Sequence, residues 1–397
     1  RWFERQLESG VIPEGTQLAP RNPGVDAWDE LPENQQRLAA RLQEAFAAFL
    51  DHTDAQIGRL VVGLRSLGQI VNTLLVVVAD NGASQEGGAL GVMHVLYVFN
   101  GFHVTPDETI DRLDEIGGPH SHTNYPWGWA QAGNSPFKWY KQNTHEGGVH
   151  VPMVVHWPDG VAADQRGERR DQFVFAADVA PTVYDILGIA PPDTYHGVEQ
   201  LPVTGHSFVS AIGDPDAPAT NTVQYFEMGG SRALVAGEWK AVCKHDQGAD
   251  YDTETWELYH LASDFSECVD LAAEQPDKLE ELIGLWWEEA ERHGALPLDD
   301  RMIELFGARF RPNSPHPGNR RYVYRPPMSP MPAQASAAIA GRDFDLTARI
   351  TRSPGDAGVL FAFFCAMMCL QLLWVKFMVV ETKEVPLEQI QKKLGIA

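Results

Sequence analysis

One apolar run that ends abruptly in polar residues constrains the fold of this chain more than any other feature. Residues 74–79 read Leu-Leu-Val-Val-Val-Ala, and Asp80, Asn81 and Gly82 follow directly. An apolar run without alternation is typical of a strand buried on both faces, as in a parallel sheet covered by helices. The run therefore predicts an α/β fold with a strand that ends at Asp80.

Asp80 and Asn81 are candidate site residues because of where this strand would place them. Ligand sites in open α/β sheets lie at the carboxyl ends of strands. Carboxylate and amide oxygens are the ligands that hard cations prefer. The pair Asn81-Gly82 is equally a strong signal for a tight turn, so this stretch alone leaves a turn and a metal site both open.

Composition excludes some classes of function. The 397 residues carry a net charge of -23, which argues against nucleic acid as a partner, since no basic stripe could neutralise phosphates. The four cysteines form neither CxxC nor a zinc-like spacing. The first residues contain no initiator Met and no apolar signal region, so we expect a chain that begins within a longer one.

A second informative stretch surrounds Lys141. This lysine lies five residues before Glu146-Gly147-Gly148, and a short strand is predicted over residues 151–156. The Gly pair allows a tight backbone path, and the ammonium group could pair with an anionic ligand. An ordinary surface lysine is the alternative. Four nearby histidines could line a site, although loop histidines with structural partners are the simpler interpretation: His120, His122, His145 and His150.

The remaining pattern predicts helices and a second, antiparallel sheet. Residues 1–28 read as an irregular lead-in, and a long helix follows Pro32, with apolar residues at helical spacing up to Leu64 and Gly68 at its end. A short helix is predicted within residues 175–188, closed by Gly188. From Thr222 onward, short strands with alternating apolar and polar residues are separated by turn residues, which predicts an antiparallel sheet. A helix is predicted over residues 277–293, with five apolar side chains facing inward: Leu279, Leu282, Ile283, Trp286 and Trp287.

The last hundred residues differ from the rest. Residues 311–333 are rich in proline and predict a linker or an extended surface segment. Residues 358–375 contain Gln371 as the only polar side chain and are long enough to cross a membrane, with a buried core helix as the alternative. If the chain contacts a membrane, we expect residues 358–380 to make that contact.

Several motifs, taken together and in order, resemble those of one family, the sulfatases, and within it the bacterial arylsulfatases. The resemblance extends from the first residues to about Gly358. The matching pieces are His52-Thr53-Asp54 with Ile57-Gly58-Arg59, Asn72-Thr73 with residues 79–84 and Glu86-Gly87-Gly88, Lys141 with His145-Glu146-Gly147-Gly148 and Val151-Pro152, and Trp256-Glu257-Leu258-Tyr259 with Asp264-Phe265-Ser266-Glu267 and Asp270-Leu271-Ala272.

The resemblance implies an alkaline-phosphatase-like α/β fold, a mixed sheet flanked by helices, with a smaller C-terminal antiparallel sheet and a helix. Its N-terminal half would lie outside this chain. The implied domains are the C-terminal part of the catalytic domain over residues 1–213, a small antiparallel subdomain over residues 214–310, and a proline-rich linker leading into a further β segment over residues 311–357. A family member would be periplasmic or extracellular.

The resemblance also implies roles for three residues. Asp80 and Asn81 would be two Ca²⁺ ligands, and Lys141 would contact the sulfate oxygens of a small-molecule sulfate ester. The family's nucleophile is a formylglycine made from the Cys of a Cys-x-Pro/Ala-x-Arg motif, and none of the four cysteines lies in such a motif. We therefore expect this chain alone neither to hydrolyse sulfate esters nor to hold calcium tightly.

The end of the chain departs from that family. Residues 358–397 resemble the last transmembrane helix and charged tail of a major facilitator sugar transporter, with Val380 and Glu384 replacing the usual Pro and Gly. The hypothesis is a chimera that changes family near Leu360. Two alternatives to a sulfatase fragment stay open: a phosphonate or phosphate monoester hydrolase of the same fold, and an inactive interaction protein attached to a membrane.

Overall fold

A computed structural model describes residues 1–95, 105–119, 121–301 and 323. The described residues up to Arg301 all belong to one compact unit, Arg1–Gly307. They form a mixed α/β structure with a smaller antiparallel sheet that carries a helix, which confirms the predicted fold class. The domain boundaries stay predictions. The linker, apart from Val323, and the apolar segment at residues 358–375 lie outside the described residues.

Eight α-helices and eight strands can be given bounds in the described part of the chain. The helices are α1 Trp2–Glu8, α2 Glu33–Ser66, α3 Pro106–Ile110, α4 Trp127–Gly133, α5 Glu146–Val149, α6 Val179–Leu187, α7 Val209–Gly213 and α8 Pro276–Arg292. The strands are β1 Leu75–Val78, β2 Met153–His156, β3 Thr194–Tyr195, β4 Val198–Glu199, β5 Val223–Met228, β6 Ser231–Ala236, β7 Trp239–Cys243 and β8 Glu257–His260.

The apolar run forms β1, but its surroundings differ from the prediction. β1 pairs with β2 in an antiparallel ladder that sets Val76 opposite Val155 and Val78 opposite Met153. Val77 and Val78 are each 46% exposed. The prediction that this strand is buried on both faces in a parallel sheet was therefore wrong. The described residues supply one antiparallel partner and leave the end of the strand uncovered.

Helix α2 begins and ends where the sequence predicts. It starts at Glu33 after Pro32, and Gly68 beyond its end adopts a φ of +68°, a left-handed conformation that glycine reaches without strain. Leu38 and Leu42 are buried in a core with Met93, Ile116 and Tyr125.

The second half of α2 leaves several of its apolar residues exposed. Phe49 is 68% exposed, and Leu50 and Leu60 are each 56% exposed. The helical spacing is correct, but the described residues cover only part of this half of the helix. Periodicity shows which residues share a face of a helix, whereas burial also requires a partner for that face.

The smaller sheet contains β5, β6, β7 and β8 in that order, all antiparallel, as the alternating pattern predicts. Helix α8 packs on it and completes a core that includes Leu234, Ala241, Leu258, Leu282 and Trp286. Trp287 was predicted to face inward, yet it is 37% exposed while Trp286 is fully buried. Successive residues on a helix point about 100° apart, so the two rings cannot both face this core.

Two further findings concern the ends of the chain. Residues Trp2–Glu8 form helix α1, so the prediction of a wholly irregular lead-in was wrong. Among the helices in the described ranges, none combines the length and the apolar character that crossing a membrane requires. The predicted span at residues 358–375 falls outside those ranges.

The core position of Trp286 leads to a stability prediction. Trp286→Ala should lower the free energy of unfolding by about 3–5 kcal/mol, because it leaves a cavity and removes the indole N–H that donates to the Phe226 carbonyl at 3.0 Å. Trp287→Ala is the matched control and should cost about 1 kcal/mol or less. Urea titration followed by circular dichroism measures both. Equal losses for the two variants would contradict this assignment of the core.

Candidate active site

Two loops meet where β1 ends and β2 begins. The first loop, residues 79–88, follows β1, and the second loop, residues 138–152, precedes β2. An antiparallel ladder places the end of one strand beside the start of the other, and Val78 is the partner of Met153. This pairing brings the stretch that carries Asp80 next to the stretch that carries Lys141.

Main-chain hydrogen bonds lock the two loops together. The Gly82 N–H donates to the Gly148 carbonyl at 3.0 Å, and the Lys141 N–H donates to the Ala83 carbonyl at 3.0 Å. The Asn134 side chain joins both loops, since its Oδ1 accepts from the Ala83 N–H at 2.9 Å and its Nδ2 donates to the Gly147 carbonyl at 2.6 Å. Asp80 and Asn81 are thus held by the same contacts that fix the backbone of Lys141.

The glycines in these loops permit a close approach of backbone to backbone. A Cβ at Gly82 would collide with the Gly147 carbonyl, and a Cβ at Gly148 would collide with the Asn143 carbonyl. These collisions cannot be relieved by a change of side-chain rotamer, because the obstructing atoms belong to the main chain. The Gly pair before β2 is therefore a packing requirement of the site.

Asp80 and Asn81 present oxygen atoms beside this contact. The Asp80 side chain is exposed and makes no hydrogen bond or ion pair with any described residue. Asn81 donates its Nδ2 to the Gly82 carbonyl at 2.8 Å, which leaves its Oδ1 available as an acceptor. The described residues contain no group of three or more His, Cys, Asp or Glu side chains that could hold a metal ion.

Lys141 pairs with a carboxylate to which the sequence analysis gave no role. Its Nζ lies 2.7 Å from Glu86 Oε1, and the Ser84 hydroxyl donates to the other oxygen of Glu86. Glu86 lies in the loop that also carries Asp80, so its place in the motif was visible in the sequence. The pairing of Glu86 with Lys141 was not visible in the sequence, because no local signal links residues that are 55 positions apart.

The electrostatics of this pair follow from two opposing effects on Glu86. Burial raises the pKa of this carboxyl, but the hydrogen bonds from Lys141 and Ser84 and the charge of Lys141 outweigh it, so the pKa lies below its usual 4.5. A depressed pKa means that the pair is present above the usual carboxyl range and is lost as pH falls through the lowered value. At neutral pH an anion must therefore share Lys141 with Glu86.

A buried ion cluster anchors the second loop to the smaller sheet. Lys240, on β7, is fully buried, and its Nζ lies 2.6 Å from Glu146 Oε1 and 2.9 Å from Glu267 Oε1. Glu267 also accepts from the Glu146 N–H at 2.9 Å. Burial lowers the pKa of Lys240, but the two carboxylates outweigh this and raise it, so the ammonium stays charged.

The histidines near Lys141 have structural partners. His145 is buried and its Nε2 lies 3.1 Å from Glu257 Oε2, while His150 Nδ1 lies 2.5 Å from Glu146 Oε2. The His122 ring packs edge-on against that of His94. His120 is outside the described residues. The simpler interpretation of these histidines therefore fits His122, His145 and His150.

Gly82→Ala tests the contact between the two loops. The added Cβ has no space against the Gly147 carbonyl, so we expect a loss of about 1–3 kcal/mol in the free energy of unfolding. The matched control is Gly284→Ala, in the interior of α8, where an added Cβ meets nothing within 4 Å. There the helix should gain about 0.5–1 kcal/mol.

Chemical denaturation of the two variants gives both values. A Gly82→Ala protein as stable as the parent chain would show that the loops do not approach as described.

Two family models match this chain. The sulfatase model matches residues 18–189, which include Asp80, Asn81 and Lys141. The model for the C-terminal part of N-sulphoglucosamine sulphohydrolase matches residues 136–285, which include Lys141 and the smaller sheet. The two matches overlap across the second loop.

The chain is also similar in sequence to individual sulfatases. An uncharacterized sulfatase of Schizosaccharomyces pombe is 31% identical over 316 residues, which are 78% of this chain and 54% of that protein. An arylsulfatase of Klebsiella aerogenes is 30% identical over 207 residues, 51% of this chain and 41% of that protein. The chain thus spans about half the length of these relatives.

The crystal structure of Ps i-CgsB is similar at 20% identity and a TM-score of 0.43, over 74% of this chain and 52% of that one. The resemblance of residues 358–397 to a transporter has no counterpart in these matches and stays a prediction. Residues 18–189 match the sulfatase model, and these matches support membership of the sulfatase family at that level.

Proposed function

We propose that the two loops are one part of a site that hydrolyses sulfate monoesters. In this proposal Asp80 and Asn81 are two oxygen ligands of a Ca²⁺ ion, and Lys141 donates to the sulfate oxygens of the substrate. The observation that carries it is the loop contact, which joins the Asp80 stretch to the backbone of Lys141 through Gly82–Gly148 and Lys141–Ala83 hydrogen bonds. The match of residues 18–189 to the sulfatase model supports it at the level of reaction class.

Lys141 is suited to hold a sulfuryl group. An ammonium group has three donors, and the hydrogen bond to Glu86 uses one of them. The side chain is 36% exposed, so its other donors can reach a ligand from the solvent side. Positive charge at this point stabilises the negative charge that develops on the sulfuryl oxygens and the leaving group.

The residues of this chain fit a hard cation as partial ligands. The Asp80 carboxylate is exposed, and Asn81 Oδ1 remains an acceptor while its amide nitrogen is fixed on the Gly82 carbonyl. A bound cation would neutralise charge on the sulfate and the attacking group. Calcium takes about six to eight oxygen ligands, so two donors cannot retain it tightly, and we propose that the others come from outside this chain.

The nucleophile would also come from outside this chain. None of Cys243, Cys268, Cys365 and Cys369 lies in a Cys-x-Pro/Ala-x-Arg motif. Burial raises the pKa of the Cys243 thiol to about 11, so this thiol is not activated for attack. Cys268 Sγ lies 3.5 Å from the Ser266 hydroxyl. We therefore propose that the isolated chain is inactive.

Activity assays test this division of the site. The purified chain should give no turnover of 4-nitrophenyl sulfate with added Ca²⁺. The natural gene extended upstream until it includes a Cys-x-Pro/Ala-x-Arg motif, with that Cys converted to formylglycine, should give calcium-dependent turnover. In that longer protein Lys141→Ala should lower kcat/KM by about 100-fold. Lys278→Ala, at a lysine of α8 that pairs with Glu281, is the matched control and should leave kcat/KM unchanged.

Two outcomes would contradict the proposal. Turnover by the isolated chain would place a nucleophile within these 397 residues. Full activity of the longer Lys141→Ala protein would remove Lys141 from the site. 4-Nitrophenyl phosphate serves as the control substrate, since its faster hydrolysis would instead favour a phosphate monoester hydrolase of the same fold.

A further inference from the structure

The Glu86 carboxylate lies beside the proposed sulfate contact, although the proposed function gives it no role in binding. Its Oε1 lies 2.7 Å from the Lys141 ammonium. An anion that binds this ammonium would therefore lie close to a second negative charge. Like charges repel each other most strongly where little water separates them. The position of Glu86 thus bears directly on which anions the site accepts.

Hydrogen bonds to both of its oxygens hold Glu86 in place. Oε1 also accepts from Gln142 Nε2 at 3.3 Å, and Oε2 accepts from the Ser84 hydroxyl. The Ser84 hydroxyl is fixed in turn, because it accepts from Asn124 Nδ2 at 2.6 Å. The Glu86 side chain is only 16% exposed. These contacts keep the carboxylate beside the ammonium group when an anion approaches.

Glu86 carries its charge at neutral and mildly acidic pH. Burial raises the pKa of this carboxyl, but the hydrogen bonds from Lys141 and Ser84 outweigh burial and hold the pKa below its usual 4.5. Tyr125 also interacts with this charge, and burial raises the pKa of its phenol above the usual 10, so the phenol is uncharged. The ammonium and the carboxylate therefore form a pair without net charge.

Sulfate and phosphate monoesters differ in charge, and a neutral pair distinguishes between them. A sulfate monoester is a monoanion, whereas a phosphate monoester has a second pKa of about 6 and is a dianion above it. A lone ammonium attracts the dianion more strongly, because the Coulomb energy scales with charge. A neighbouring carboxylate opposes that gain, while the second charge of the dianion still has to be removed from water.

We propose that Glu86 is a specificity-determining residue that disfavours phosphate monoesters and so directs the site to sulfate monoesters, an inference that rests on the proposed role of Lys141. Glu86 acts through Lys141, as a positioning residue that forms no bond to the substrate. It holds the ammonium in place and removes the advantage that a dianion would have there.

Binding of two small probes to the whole chain tests this selectivity without turnover. The probes are methyl sulfate and methyl phosphate, followed by saturation transfer to their methyl protons in a buffer without divalent metal ions. At about pH 8, where the phosphate is a dianion, Glu86→Gln should strengthen methyl phosphate relative to methyl sulfate by about tenfold. Glu281→Gln removes the same charge from a pair with Lys278 on α8, so it is the matched control and should leave the ratio unchanged.

A pH profile of the parent chain gives a second test that needs no variant. At about pH 5 both probes are mainly monoanions, while Glu86 stays ionised because its pKa lies below 4.5. This change of pH should therefore strengthen methyl phosphate relative to methyl sulfate in the parent chain. In Glu86→Gln, where a lone ammonium favours the dianion, the same change should weaken it. A carboxylate that only stabilised the loops would not produce these opposite pH profiles.

The outcomes separate Glu86 from Lys141, and circular dichroism confirms that each variant is folded. Lys141→Ala should remove the binding of both probes. Suppose that binding is lost in Lys141→Ala but the ratio of the two affinities and its pH profile are the same in Glu86→Gln. That result would overturn the role of Glu86 and retain the proposed function. No binding by the parent chain, or binding unchanged in Lys141→Ala, would contradict the sulfate contact and the inference with it.

Discussion

The contact between the Gly82 N–H and the Gly148 carbonyl is the interaction on which the rest of this site depends. It requires glycine at both positions, because main-chain atoms lie where a Cβ would be. It forms where β1 ends beside β2, and it joins the stretch that carries Asp80 and Asn81 to the stretch that carries Lys141. The Lys141–Ala83 hydrogen bond and the Lys141–Glu86 pair join the same two loops.

Ion pairs with the smaller sheet hold the second loop in place. Lys240 on β7 pairs with Glu146 and Glu267 in a fully buried setting, where removing charges from water is costly unless each group has partners. Lys138 and His145 also pair with Glu257 on β8, at a carboxylate that is 34% exposed. The smaller sheet therefore supports the loop that carries Lys141.

The sequence predicted the elements better than their surroundings. Alternation predicted β5 to β8, and start and stop signals placed α2 between Pro32 and Gly68. The burial of Val77 and Val78 was predicted wrongly, because that prediction assumes partner surfaces that the described residues do not supply. The apolar residues in the second half of α2 are exposed for the same reason. The pairing of Lys141 with Glu86 was beyond reach, since it depends on how two distant loops fold together.

Amide hydrogen exchange at Gly82 tests this account most directly. If the two loops form one unit with the smaller sheet, the Gly82 and Lys141 amides, which donate to the Gly148 and Ala83 carbonyls, should exchange as slowly as the amide of Val242 in β7. Exchange of the Gly82 amide at the rate of an unstructured peptide, while the Val242 amide stays protected, would contradict the account. It would show that Asp80 and Asn81 are not held beside Lys141.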